Sequence, residues 1–158
     1  MENRFTEISQ IGFVICDKER ILKGMREVFG VEPDKVVMTK ADDGRVYRGE
    51  PGDFVAELIF YKFANIELEF IRPISGKSIW QEHLDAHGEG LHHIQFAVDS
   101  FEGARNQMHG ADVEMLQEGL SARPVPGLRF GYFDTFAKLA FILEIFNEKE
   151  LKTDTSCQ

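Results

Sequence analysis

Apolar and polar positions divide this chain into short strands and a few amphipathic helical stretches, and their order repeats. Residues 8–16 (ISQIGFVIC) read as a first strand. Asp17 then offers a helix N-cap, Ile21, Leu22, Met25, Val28 and Phe29 fall on one helical face, and Gly30 is placed to stop the helix. Three strands are expected next, at 35–40, 55–61 and 66–71, with Asp42-Asp43-Gly44 as a hairpin-type turn and Pro73 closing the set. A connector helix follows over about 78–88, where Ser78 and Gln81 have capping-box spacing ahead of Trp80, His83 and Leu84.

The pattern then restarts. In residues 90–98 (GLHHIQFAV), Leu91, Ile94, Phe96 and Val98 mark a short, largely buried strand. Asp99-Ser100-Phe101-Glu102 opens a helix that Gly110 terminates, and strands are expected near 113–116, 128–134 and 139–146. Register supports a true repeat: QIGFVI from Gln10 overlays HIQFAV from His93 at an offset of 83, and LEFI around Glu69 overlays LEIF around Glu144 at an offset of 75. The second half is shorter by the difference, eight residues, as a trimmed hairpin would make it. The expected organisation is one domain over 5–147, with module 1 at about 5–73, the connector, module 2 at about 90–147, and a polar, frayed tail at 148–158.

The repeat places a polar side chain at four equivalent positions, Gln10, Glu69, His93 and Glu144, each inside an apolar strand. An ionised carboxylate there is costly without a partner. Singly, Glu69 and Glu144 each read equally well as a residue pointing out from a half-exposed strand, and His93 alone reads as a core or surface histidine with a backbone partner. Together they suggest that each module gives its first and last strand to one central divalent cation. Two carboxylates, an amide oxygen and an imidazole form a mostly hard set suited to Zn, Co, Ni, Mn or Mg with open positions, not a closed thiolate site.

Composition narrows the classes further. A formal charge of -9 over 158 residues argues against a nucleic-acid backbone binder, and 43% hydrophobic residues with 14 Phe suffice for a sizeable core. No apolar run approaches a membrane span, and Cys16 and Cys157 read as free thiols in a reducing compartment, so a cytoplasmic location is expected. His83, His87, His92 and His109 read as structural or surface residues. By strand alternation His92 should face away from His93. Arg123 or Arg129 is a candidate for holding a substrate anion. Phe60, Phe130, Tyr132 and Phe141 read most simply as core.

Paired strand–helix–three-strand modules with ligands at these places resemble the vicinal oxygen chelate (glyoxalase/bleomycin resistance) superfamily over nearly all of residues 5–147. The segment GEGLHHIQFAVDS is similar to the GLHH segment of methylmalonyl-CoA epimerases, whereas Gln10, Glu69, His93 and Glu144 as a set resemble the ligands of zinc-using type I glyoxalases. Epimerases of this kind have His where Gln10 stands and Gln where Glu69 stands. The resemblance implies an α+β fold in which two βαβββ modules form a curled, incomplete barrel around one metal, often as a homodimer.

It also implies an isomerase that moves a proton alpha to a carbonyl through an enolate. The epimerase pattern assigns this work to Glu144 and to Glu57 in VAELI, and the glyoxalase pattern assigns it to Glu144 and Glu69. The expected partner is a small molecule, an acyl-CoA or a glutathione hemithioacetal (the lactoylglutathione lyase reaction). The bleomycin-resistance branch, which binds without catalysis, is a third reading. A dioxygenase of this superfamily would need His at Gln10.

Overall fold

The computed structural model describes residues 4–41 and 44–155. In chain order it contains β1 (Phe5–Val14), α1 (Lys18–Phe29), β2 (Lys35–Met38), β3 (Val46–Tyr47), β4 (Glu50–Pro51), β5 (Val55–Lys62) and β6 (Glu67–Ser75). The connector helix α2 (Ile79–His87) leads to β7 (Gly90–Val98), α3 (Phe101–Gly110), β8 (Met115–Leu120), β9 (Arg129–Phe133), α4 (Phe136–Leu139) and β10 (Ile142–Phe146), and α5 (Glu148–Thr155) follows. All ten strands join one mixed sheet in the order β2-β5-β6-β1-β7-β10-β9-β8-β3-β4. This is the curled α+β half-barrel expected of the paired modules.

The modules meet within one chain, where β1 runs antiparallel to β7, and each central strand has a parallel partner, β6 beside β1 and β10 beside β7. Gly12 is level with Glu69 across the first parallel pair and Gln95 with Glu144 across the second. Positions 12 and 95 are separated by the same 83 residues as positions 10 and 93, so the two halves of the centre are built on one register.

Local chemistry fixes the helices that flank this centre. The Asp17 carboxylate accepts from the Arg20 amide, and Gly30 ends α1 at φ 68, a left-handed conformation that glycine adopts without strain. Ser78 caps α2 by accepting from the Gln81 amide, but the Gln81 side chain reaches forward to Asp85, so only half of the capping box forms. Trp80 of α2 is buried inside the curl, edge-on to both Phe54 and Tyr132. It joins Leu58, Phe60, Ile71, Leu116 and Ile142 in a core under the connector. Separate clusters lie beneath α1 (Met25, Ile59, Tyr61, Phe70) and α3 (Phe101, Ala104, Met108, Leu143, Ile145).

Several sequence expectations are corrected. Module 1 has an additional short hairpin, β3–β4, which pairs with β8 of the other module and accounts for much of its greater length. The strand expected near 113–116 begins at Met115, and the one expected from 139 is preceded by the short helix α4. Leu91 is 45% exposed despite its place in β7. The supposed frayed tail is helical through Thr155, with Leu151 packed against the Ala97, Leu128 and Phe146 cluster and Lys149 paired with Asp99. Cys16 follows β1 in a bend as an exposed free thiol. Asp42, Asp43 and Cys157 lie outside the described residues. Among those residues no helix is long and apolar enough to cross a membrane.

Candidate metal centre

Gln10, Glu69, His93 and Glu144 converge in the trough of the half-barrel, and none is more than 6% exposed. His93 Nε2 lies 3.1 Å from Glu144 Oε2, 3.3 Å from Glu69 Oε2 and 3.4 Å from Gln10 Oε1. One ligand atom from each of Glu69, His93 and Glu144 falls within 4.8 Å of the others. The orientation of the Gln10 amide follows from its hydrogen bonding. Its Nε2 donates to Glu67 Oε1 at 2.7 Å, which leaves Oε1 turned to the cluster, and Arg123 holds the same Glu67 oxygen at 2.5 Å.

Strand irregularities aim these side chains. Between β1 and β7 the pairing passes from Ile8↔Phe96 to Gln10↔Gln95 and from Gly12↔His93 to Phe13↔Leu91. Ser9 and His92 are therefore extra, bulged residues, each immediately before a cluster residue and again 83 positions apart. A bulge re-aims neighbouring side chains, which is why strict alternation fails for His92. Its ring is 2% exposed and its Nδ1 is 3.0 Å from His93 Nδ1.

Gly12 completes the arrangement. A Cβ there would stand 1.9 Å from His93 Cε1, so the imidazole lies across β1 in space that only glycine leaves open. Gln95, the repeat counterpart of Gly12, donates from Nε2 to Glu144 Oε2 at 3.0 Å, and Ser9 Oγ fixes the amide by donating to Gln95 Oε1 at 3.0 Å. Sequence reasoning missed both residues. Gln95 was detectable as the position two after His93 on the same strand face, and Gly12 as a glycine inside a strand.

Electrostatics mark the cluster as a site that gains from a cation. Burial raises the Glu69 carboxyl above its usual range, with His93 opposing and Glu144 reinforcing. For His93, burial disfavours the charged ring, but Glu144 and Glu69 outweigh it and push the imidazole up to about 9. Burial, with Glu144 and Glu69 adding to it, also holds the Tyr132 phenol well above its ordinary value, so that hydroxyl stays protonated beside the carboxylates. Buried oxygens around a single imidazole nitrogen fit a hard or borderline divalent cation.

Below about pH 9 the metal-free His93 carries a proton that a cation must displace. Apparent affinity for Zn²⁺ should therefore climb roughly tenfold per pH unit from 7 toward 9 and flatten above it. Competition with a chromophoric chelator measures this, and a flat profile would show that His93 releases no proton. In the metal-free protein the same shift has the opposite sign for stability. The contribution of charged His93 is full below the unfolded value of about 6.5 and is lost as pH rises through 9.

The structure does not bring Glu57 to this cluster. Phe60 is level with Glu69 across β5–β6, so residues 58 and 60 share the inner face and 57 takes the outer one. There Lys18 Nζ reaches Glu57 Oε2 at 3.0 Å and Arg72 Nη2 reaches Oε1 at 2.9 Å. Burial works to raise the Glu57 carboxyl, but the two cations outweigh it and hold it below its ordinary range, the reverse of a poised base.

A cavity of about 40 Å³ adjoins the cluster, walled by Leu58, Phe60, Trp80, Phe130, Tyr132 and Phe146, with Thr39, Ser121 and Arg123 also in its lining. Of the aromatic residues read as core, Phe60, Phe130 and Tyr132 line this cavity and Phe141 does not. Arg129 pairs with Glu102 elsewhere. Arg123 has its guanidinium near the Phe60 and Phe146 rings.

Solved structures share this fold. Methylmalonyl-CoA epimerase from Streptomyces coelicolor, in complex with 2-nitronate-propionyl-CoA, matches with a TM-score of 0.66 at 17% identity, covering 90% of this chain and 94% of its own. The epimerase from Mycobacterium tuberculosis matches with a TM-score of 0.66 at 12% identity over 97% and 95% of the two chains. A hypothetical protein from Bacillus halodurans matches with a TM-score of 0.67 at 18% identity over 91% and 95%. No curated protein matches by sequence. The family model of the glyoxalase/bleomycin resistance protein/dioxygenase superfamily matches residues 9–132, and the chain belongs to that superfamily.

Proposed function

We propose that this protein is a metal-dependent isomerase that transfers a proton at a carbon next to a carbonyl, with 2-epimerisation of methylmalonyl-CoA or a similar acyl thioester as its reaction. The observation that carries the reading is the buried pair Glu69 and Glu144 on either side of His93, with the Gln10 oxygen turned inward. A divalent cation held by these four residues supplies polarisation of the substrate carbonyl, which acidifies the neighbouring carbon.

The chain's own groups do the rest. Two carboxylates against a dication make the surround formally neutral, which polarises a substrate carbonyl less strongly than a net positive surround would. Glu144, steadied by Gln95, and Glu69 offer basic oxygens to a cavity lined by both apolar and polar side chains, and these oxygens accept and return the proton. Support for a thioester comes from the GLHH segment and from the fold shared with methylmalonyl-CoA epimerases.

The position of Glu57 favours a second reading, glyoxalase I chemistry on a glutathione hemithioacetal, in which Glu69 and Glu144 are the two flanking carboxylates. A non-catalytic binding protein has less use for a buried Glu–His–Glu cluster. The proposal carries over from the sequence a cytoplasmic setting and a homodimer, neither of which the four-residue cluster requires, since one chain supplies all four.

Metal-reconstituted protein assayed side by side with methylmalonyl-CoA and with the methylglyoxal–glutathione adduct tests the proposal. Turnover of neither substrate, with one metal per chain bound and no solvent deuterium entering either one, would end it. Glu57→Gln should leave turnover within about threefold, because that carboxylate lies on the outer face. A loss on the order of 10², the worth of a general base, would return Glu57 to the mechanism.

A further inference from the structure

Of the three register shifts between the central strands, the two at Ser9 and His92 are related by the repeat, and each of these bulged residues hydrogen-bonds toward the cluster. Ser9 donates to Gln95, which donates to Glu144, so the module 1 bulge steadies a carboxylate of module 2. The module 2 bulge places His92 against the far side of His93, Nδ1 to Nδ1 at 3.0 Å. We propose that His92 is a positioning residue for the metal-holding imidazole: its Nδ1 accepts the hydrogen on His93 Nδ1, which keeps His93 Nε2 bare and aimed at Gln10, Glu69 and Glu144. This inference rests on the metal reading given above.

Two ring nitrogens 3.0 Å apart share a single hydrogen, so one ring donates and the other accepts. A cation at His93 Nε2 needs that lone pair, which puts the His93 hydrogen on Nδ1 and makes His92 the acceptor. His92 then carries its own hydrogen on Nε2, and the backbone of Ile79 at the start of α2 hydrogen-bonds its ring. The ring has little freedom to turn away. It is 2% exposed and lies edge-on to His83 at 5.1 Å and to Tyr132 at 5.8 Å between centroids. Gly12 limits His93 from the β1 side, so the two imidazoles are held as a unit between β1 and α2. In a regular strand His92 would face away. The bulge is what makes the bond.

The first measurement is made on the unsubstituted, ¹⁵N-labelled chain loaded with Zn²⁺. A coupling across the hydrogen bond between the two Nδ1 nuclei, with a slowly exchanging Nδ1 hydrogen assigned to His93, is expected, and its absence overturns the proposal. The second is Zn²⁺ affinity by chelator competition. His92→Leu removes the acceptor and should weaken binding about 10- to 100-fold, the usual effect of losing such a partner. His92→Asn, whose Oδ1 stands near the place of Nδ1, should stay within about threefold of the natural chain. A folded His92→Leu protein with unchanged affinity also overturns the proposal. If that variant does not fold, the coupling in the natural chain decides alone. Failure of the natural chain to take up Zn²⁺ would appear before any substitution is made and would sink the metal reading itself, so the two failures are distinct.

Discussion

Glu144→Gln should lower turnover on the order of 10²- to 10⁴-fold, while the protein stays folded and still takes up metal with moderately reduced affinity. The amide keeps the side chain's size and one oxygen for the cation but removes the basic oxygen that moves the proton. Three buried side chains converge on this residue or beside it. Gln95 Nε2 donates to Oε2 at 3.0 Å, His93 Nε2 stands 3.1 Å from the same atom, and the Tyr132 ring packs against His93. A neutral amide at this place also leaves one fewer negative charge to balance a dication.

The comparison with Glu69→Gln then shows whether one carboxylate or both move the proton. If both carboxylates move protons, each substitution should cost activity beyond its effect on metal content, and solvent deuterium should enter the substrate more slowly in both. If only Glu144 does, Glu69→Gln should cost little once the metal is restored, and it would raise the formal charge of the surround by one. Near-normal turnover in fully loaded Glu144→Gln would remove that residue from the chemistry.

The residues that meet at the centre were legible because each is a polar interruption in an apolar strand and because the interruptions recur at matched offsets. Gln10 and His93 repeat at 83, Glu69 and Glu144 at 75, within the same succession of element types. What remained hidden depends on pairing between distant strands. The register of β5 against β6 decides that Leu58 and Phe60, not Glu57, share a face with Glu69, and nothing within VAELI contains that information. The bulges at Ser9 and His92 are likewise properties of the β1–β7 pair, so alternation within β7 alone sent His92 to the wrong side. The β3–β4 hairpin of module 1 extends the sheet of module 2, a contact with no local signature. In the tail the apolar contribution comes from a single leucine, Leu151, which is too little periodicity to announce a helix but enough to dock one beside Phe146.

Gly12→Ala should abolish tight metal binding while leaving every cluster residue in the sequence. The added carbon would sit 1.9 Å from His93 Cε1, 2.1 Å from Nε2 and 2.4 Å from Nδ1, far inside contact distance. The obstruction is the body of a buried aromatic ring, not the tip of a flexible chain, so the imidazole or the β1 backbone must move. Overpacking of this kind costs about 1–3 kcal/mol in stability. Its larger effect is on geometry, because shifting the ring carries Nε2 away from Glu144 and Glu69, which now lie 3.1 and 3.3 Å from it. Zn²⁺ affinity should fall by a factor on the order of 10² or more, at the upper end of or beyond what losing a ligand's supporting partner does. The fold should survive, since Gly12 is flanked by Ile11 and Phe13, whose side chains point to the other face of β1. Circular dichroism and thermal unfolding report the fold, and chelator competition reports the site. A folded Gly12→Ala protein that binds Zn²⁺ as tightly as the natural chain would mean that His93 holds the metal from some other ring position, and the geometry of the centre would have to be redrawn.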